Sequence, residues 1–311
     1  MNLAFMHMPM VLFTTLVPMA SGAFVGLAIA FLTTRFSDER LARIDRWTLL
    51  PLGILAVGFA AALASFALPA RAAGVLQSAW LGSMPLVLLA SLLFVLVAVA
   101  YWVVAMMGVL TCRARVVFSS VLAVGALALS FFIGAAYWGS AVSSWASPVA
   151  AVGVAGFCAA GGVPLGVLVV ALGGGMTEAQ DARFSSASMV AAFVGVVAAI
   201  FAVASQMLYA QSVVSAFFPG AEALPGSWVY LAISIAGFVV MLVCLRTALS
   251  PDHAAAFGRT AGAAAAVPMR DRAAVRPENA ARSAVSLLVG GSAAALVAIF
   301  VARLVFYALQ V

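Results

Sequence analysis

The sequence predicts an all-α polytopic membrane protein, one bundle of eight transmembrane helices with both termini outside the cytoplasm. Three observations predict it. Of 311 residues, 66% are hydrophobic and 8% charged, with a mean hydropathy of +1.22, so there is too little polar surface to coat a water-facing globule. The apolar residues form long charge-free stretches, and the arginines collect in alternate connections between them. A soluble enzyme, a disordered tail and a secreted disulfide scaffold are thereby excluded.

A helix crossing about 30 Å of hydrocarbon at about 1.5 Å per residue needs about 20 apolar residues. Residues 8–34 supply the first span and 47–68 the second. The third lies near 84–107, behind a polar start. Residues 116–177 carry no charge and hold two spans, 116–137 and 149–173, parted where Trp, Ser, Gly and Pro cluster. The last three are 184–210, 227–247 and 283–308. The first residues lack a basic stretch and the first apolar run is too long for a signal-peptide core, so the N-terminus is expected to be kept as the first span. The longest connection, 249–282, is rich in Ala and Arg with Pro251, Pro268 and Pro277 and has no apolar periodicity. It is expected to be a mobile cytoplasmic loop. The chain thus forms one membrane-integral domain, 1–311.

Eight spans put both ends on one side, and the positive-inside rule chooses which. All 15 basic residues are arginine, and all but Arg71 and Arg303 fall in the connections between spans one and two, three and four, five and six, and seven and eight. Those connections are expected in the cytoplasm of a cell whose inner membrane holds the protein. The net charge of +6 then reports orientation, not a nucleic-acid partner. Tryptophan agrees as an interfacial marker: Trp80, Trp138, Trp145 and Trp228 fall at outer ends and Trp47 at an inner one, with only Trp102 well inside a span. Cys112, Cys158 and Cys244 have neither metal-ligand nor redox spacing and read as small hydrophobes. No internal repeat is visible. Gly153, Gly156, Ala160 and Gly162 form a small-residue stripe suited to close helix contact.

What the membrane interior lacks is informative. None of the nine acidic residues lies within a span, although proton relays and ion-coupled carriers usually depend on buried carboxylates. A membrane b-type haem generally needs paired histidines, and the topology puts His7 and His253 on opposite sides of the bilayer. What remains is a polar set near the outer ends of several helices. Arg303 lies inside the eighth span, with Tyr307 four residues later on the same helical face. Gln206 and Tyr209 are near the outer end of the sixth, Ser65 and Arg71 close the second, and Trp80 follows. An arginine inside a span is costly enough to need a reason, and a shallow pocket for a lipophilic ring bearing carbonyl or hydroxyl groups is one. Each residue also has a plainer reading. Arg303 snorkels to headgroups, the aromatics belong to an interfacial belt, Ser65 is satisfied by a backbone carbonyl, and Gln206 bonds a neighbouring helix.

Four segments resemble the membrane anchor subunits of dimethyl sulfoxide reductase. Met8-Pro9-Met10-Val11-Leu12-Phe13-Thr14, followed by Ala20-Ser21-Gly22-Ala23-Phe24, looks like the opening helix of that family. Phe66-Ala67-Leu68-Pro69-Ala70-Arg71-Ala72 is similar to its helix-ending Pro-x-Arg-Ala segment. Gly161-Gly162-Val163-Pro164-Leu165-Gly166 is similar to its Gly- and Pro-containing turn, and Ala302-Arg303-Leu304-Val305-Phe306-Tyr307 to its terminal Gly-Arg-x-x-Phe-Tyr pattern. The resemblance implies eight haem-free helices with both termini outside. It also implies a chain that anchors an iron–sulfur subunit and a molybdopterin catalytic subunit, oxidising menaquinol for anaerobic respiration. The polysulfide-reductase type of anchor is a close relative in the same functional class. The resemblance implies a histidine where this chain has Ser65 and an acidic residue where it has Val87.

Oxidising a quinol releases two protons, and a positioned base normally takes one. Serine and valine cannot do so near neutral pH. Either Arg71 and Gln206, with water, support a rebuilt site, or the protein is a structural anchor with a degenerate one. The leading expectation is an anchor subunit with no permanently bound cofactor and no haem, with menaquinol as an exchangeable substrate. Its candidate quinol-binding residues are Ser65, Arg71, Trp80, Gln206, Arg303 and Tyr307. Its partners would dock on the outer connections at 69–82, 138–148 and 211–227. The rival from another class is a small-solute permease, for which helices broken at Pro18 and Pro164 would provide the cavity.

Overall fold

A computed structural model describes residues 7–65, 83–138, 142, 144–177, 182–213, 224–250 and 277–309. The described residues are all helical in architecture. Eight helices are long and apolar enough to cross a membrane. In chain order the helices are α1 Met8–Thr33, α2 Asp38–Trp47, α3 Leu49–Ser65, α4 Ser83–Met106, α5 Cys112–Ala135, α6 Pro148–Leu172, α7 Ala182–Val213, α8 Leu224–Ala248 and α9 Pro277–Ala308.

The ends of these helices follow local chemistry. α5 begins four residues before the expected span because Thr111 caps it, its hydroxyl accepting from the Ala114 N–H at 3.2 Å. Ser147 caps α6 with its hydroxyl on the Val149 N–H, and Pro148 takes the first turn, where a missing N–H costs nothing. α6 ends at Gly173 and Gly174, the latter at φ +73°, a conformation that favours glycine. α9 starts at Pro277, so the helix takes up the last residues of the expected loop 249–282; residues 251–276 lie outside the described residues.

α1 and α6 form the centre. In their most apolar windows 78% and 83% of residues are buried, against 28–39% in the other six spanning helices. α3, α4 and α5 pack on one side of this pair and α7, α8 and α9 on the other. The central contact is backbone on backbone: a Cβ at Gly22 would lie 2.0 Å from the Cys158 carbonyl oxygen, and one at Gly162 would lie 2.2 Å from the carbonyl carbon of Gly22. The small-residue stripe therefore serves two neighbours. Gly156 faces Ala199 on α7, whereas Gly162 faces Gly22 on α1. Pro18 and Pro164 both sit inside unbroken helices, so the interrupted segments that a permease would use are not formed there.

α2 is a helix that the hydropathy reading leaves as part of a loop. It turns Leu41, Ile44 and Asp45 inward. Asp45, 1% exposed, accepts from Arg115 of α5 through Nε at 3.0 Å and Nη2 at 2.9 Å, and Arg115 Nη1 also donates to the Leu110 carbonyl at 2.7 Å. A buried carboxylate does exist, then, but at the arginine-rich end and already paired. Trp47, Trp138 and Trp228 are exposed, as interfacial residues should be. Trp145 instead turns into the protein.

Candidate functional site

The last two turns of α9 carry Arg303, Phe306 and Tyr307 into the interior. Arg303 is 2% exposed and Tyr307 1%, so Arg303 does not snorkel toward headgroups. Its Nε donates to the Thr14 hydroxyl at 2.8 Å, and its Nη2 donates to the Tyr307 hydroxyl at 3.3 Å. The guanidinium lies 4.1 Å from the centroid of the Phe306 ring and 5.0 Å and 5.7 Å from those of Tyr307 and Tyr137. Such faces attract a cation strongly where water is excluded. The Tyr137 and Tyr307 hydroxyls bond to each other, and Thr14 passes its own proton to the Met10 carbonyl at 2.8 Å. Among the described residues no carboxylate pairs with Arg303. The positive charge is held by hydroxyls, by ring faces and by the carbonyl-rich end of α9.

That helix end is closed by side chains from elsewhere in the chain. The final carbonyls of a helix have no partner within it. Here the Phe306 carbonyl accepts from Trp145 Nε1 at 2.8 Å and from Gln206 Nε2 at 3.2 Å, and the Leu309 carbonyl accepts from Ser144 at 2.5 Å. Trp145 stacks on Phe306 with ring centroids 5.7 Å apart. His7, just before α1, stacks on Tyr307 at 5.6 Å and meets the edge of Trp145 at 5.8 Å. The two ends of the described chain thus lie together, at the end of the bundle opposite the Asp45–Arg115 pair.

Of the six candidate residues, Gln206, Arg303 and Tyr307 come together in this one cluster. Ser65 ends α3, but its side chain, like Arg71 and Trp80, lies outside the described residues, as does much of the three outer connections expected to dock a partner. Tyr209 is 42% exposed and stands apart. Val87 is buried in the core, its carbonyl accepting from Ser91. The sequence reading missed Thr14, Tyr137, Trp145 and Ser144 as members, and it weighed His7 only as a haem ligand. A depth count was available for finding them: an intramembrane arginine with no acid must draw polar groups from other outer helix ends.

Between Gln206, Arg303, Phe306 and Phe157 is a cavity of about 20 Å³, room for about one water molecule. A quinol ring does not fit inside it. His7 and Trp145, both half-buried, stand at the edge of the cluster. Comparison with family models, curated proteins and solved structures gives no match for this chain. Fold and cluster together define a polytopic membrane protein, with eight spanning helices among the described residues and a buried cationic and aromatic cluster at the end where His7 meets the last turn of α9.

Proposed function

We propose that the chain is the membrane anchor subunit of a molybdopterin oxidoreductase complex of the dimethyl sulfoxide reductase type. It binds menaquinol at the outer rim and passes the electrons to an iron–sulfur subunit docked there. The observation that carries this reading is the convergence of three of the four segments with the family likeness. Thr14 of the opening segment bonds Arg303 of the terminal one, and Gly162 of the third lies against Gly22. The fourth segment, 66–72, lies outside the described residues.

The chemistry of the cluster suits the task. An arginine without a counter-carboxylate holds a positive charge in a medium of low dielectric, which lowers the cost of the anion left when a quinol hydroxyl gives up its proton. The missing proton acceptors at Ser65 and Val87 have a substitute in His7, whose imidazole is a common general base. His7 stands against Tyr307 at the mouth of the cluster. The permease alternative loses its main support, since Pro18 and Pro164 lie in continuous, closely packed helices.

Two variants separate binding from turnover. With a fluorescent quinol analogue, Arg303→Met should weaken saturable quenching about tenfold or more, because it removes the buried positive charge behind the rim and the bond that holds the Tyr307 hydroxyl. His7→Phe keeps the ring contacts and should leave that titration intact, while slowing menaquinol oxidation by the complex about a hundredfold. Unchanged quenching in the first variant together with unchanged turnover in the second would contradict the proposal.

A further inference from the structure

At the opposite end of the bundle, the end of α1 and the first turn of α5 border an open-sided cavity of about 620 Å³. One wall is polar and cationic, with Thr34, Arg35, Arg113 and Arg115; the other is apolar, led by Phe31 and Phe36; among the described residues no carboxylate lines it. The charge of Arg115 is committed to Asp45. Arg35 and Arg113 are exposed, and no described residue pairs with either. Two guanidinium groups bordering one cavity favour an anion there.

A second, independent observation points to a ligand. Thr33 solves its hydroxyl in the usual helical way, donating to the Ile29 carbonyl at 2.7 Å. Thr34 has left the helix, with φ −128° and ψ 142°, and its hydroxyl oxygen is buried with no hydrogen-bond partner. Burying an unmade hydrogen bond is costly. The N-terminus of α5, which opens on the same cavity through Cys112 and Arg113, adds its own preference for an anion.

Depth decides the kind of anion. The cavity sits where the apolar part of α1 stops and that of α5 begins, the level of lipid headgroups. Its apolar side runs out to Leu32, which is 64% exposed on the bundle surface. We infer that this cavity binds the phosphodiester of an anionic phospholipid, with Arg35, Arg113 and the Thr34 hydroxyl on the phosphate and the acyl chains along Leu32. This site is separate from the quinol reading and stands or falls without it.

Native mass spectrometry of the full-length chain, with whatever copurifies, tests it against phosphatidylglycerol, phosphatidylcholine with the same acyl chains, and inorganic phosphate. Phosphatidylglycerol should bind in preference to phosphatidylcholine, and millimolar inorganic phosphate should not displace it. The double variant R35Q/R113Q should bind phosphatidylglycerol about thirtyfold more weakly, and Thr34→Val, which keeps every charge, about fivefold. Arg246→Gln removes an exposed arginine from the same end of the bundle, outside the cavity, and should change nothing. Equal affinity for the two lipids would overturn the assignment. So would undiminished binding by R35Q/R113Q, equal weakening by Arg246→Gln, or displacement by inorganic phosphate.

Discussion

Asp45→Ala should destabilise the folded protein by about 3–5 kcal/mol, the range found when one member of a buried ion pair is removed. The size follows from what is left behind. Arg115 is 8% exposed in its side chain and gives both Nε and Nη2 to the lost carboxylate oxygen, keeping only the Leu110 carbonyl. α2 is short, ten residues, and holds the bundle through this pair and through Leu41 and Ile44, so its docking should fail first. The double variant Asp45→Leu with Arg115→Met removes both charges at similar volume and should regain most of the loss, because desolvating the pair consumes much of its attraction. Equilibrium unfolding in mixed micelles reads both effects. A cost under about 1 kcal/mol for Asp45→Ala would mean that the pair is solvated as a surface bridge is.

Gly162→Val should cost at least the upper part of the roughly 1–3 kcal/mol usual for overpacking a core. A Cβ there meets the Gly22 backbone at 2.2 Å, and a backbone at the centre of the bundle cannot swing aside as a long side chain can. The helices must separate. Because α1 also carries Thr14, separation should pull that hydroxyl from Arg303 and weaken quinol-analogue binding in the same variant. Gly290→Val on α9 is the control, since nothing lies within 4 Å of its added carbon, and a shift within about 0.5 kcal/mol is expected. Unfolding midpoints and size-exclusion profiles distinguish the two.

The spanning helices were legible because hydropathy acts locally: an apolar stretch of sufficient length becomes a helix, the Trp, Ser, Gly and Pro cluster divides the one charge-free stretch that holds two, and the caps at Thr111 and Ser147 move the ends by only a few residues. α2 escaped that reading because its ten residues include six charged ones, far from any membrane-span pattern. Its own signals were present, with Asp38 and Glu39 in the first turn, Arg46 in the last, and Leu41 and Ile44 three apart. The cluster around Arg303 was half legible. Arg303 and Tyr307 share a face of one helix by spacing alone, and Gln206 shares their depth. Depth, however, does not say which helices are neighbours, so Thr14, a threonine in an apolar run, and Trp145, one interfacial tryptophan among several, could be placed at the level of Arg303 but not beside it. The plain reading of Gln206, a bond to a neighbouring helix, is also met, because its amide caps α9.

We propose that this bundle anchors a molybdenum-containing complex. Affinity purification of the C-terminally tagged chain from its native membranes, followed by elemental analysis, tests it most directly. The account predicts that molybdenum and iron copurify in fixed proportion to the chain, with two further polypeptides. A chain recovered intact from gently solubilised membranes with neither metal would contradict it.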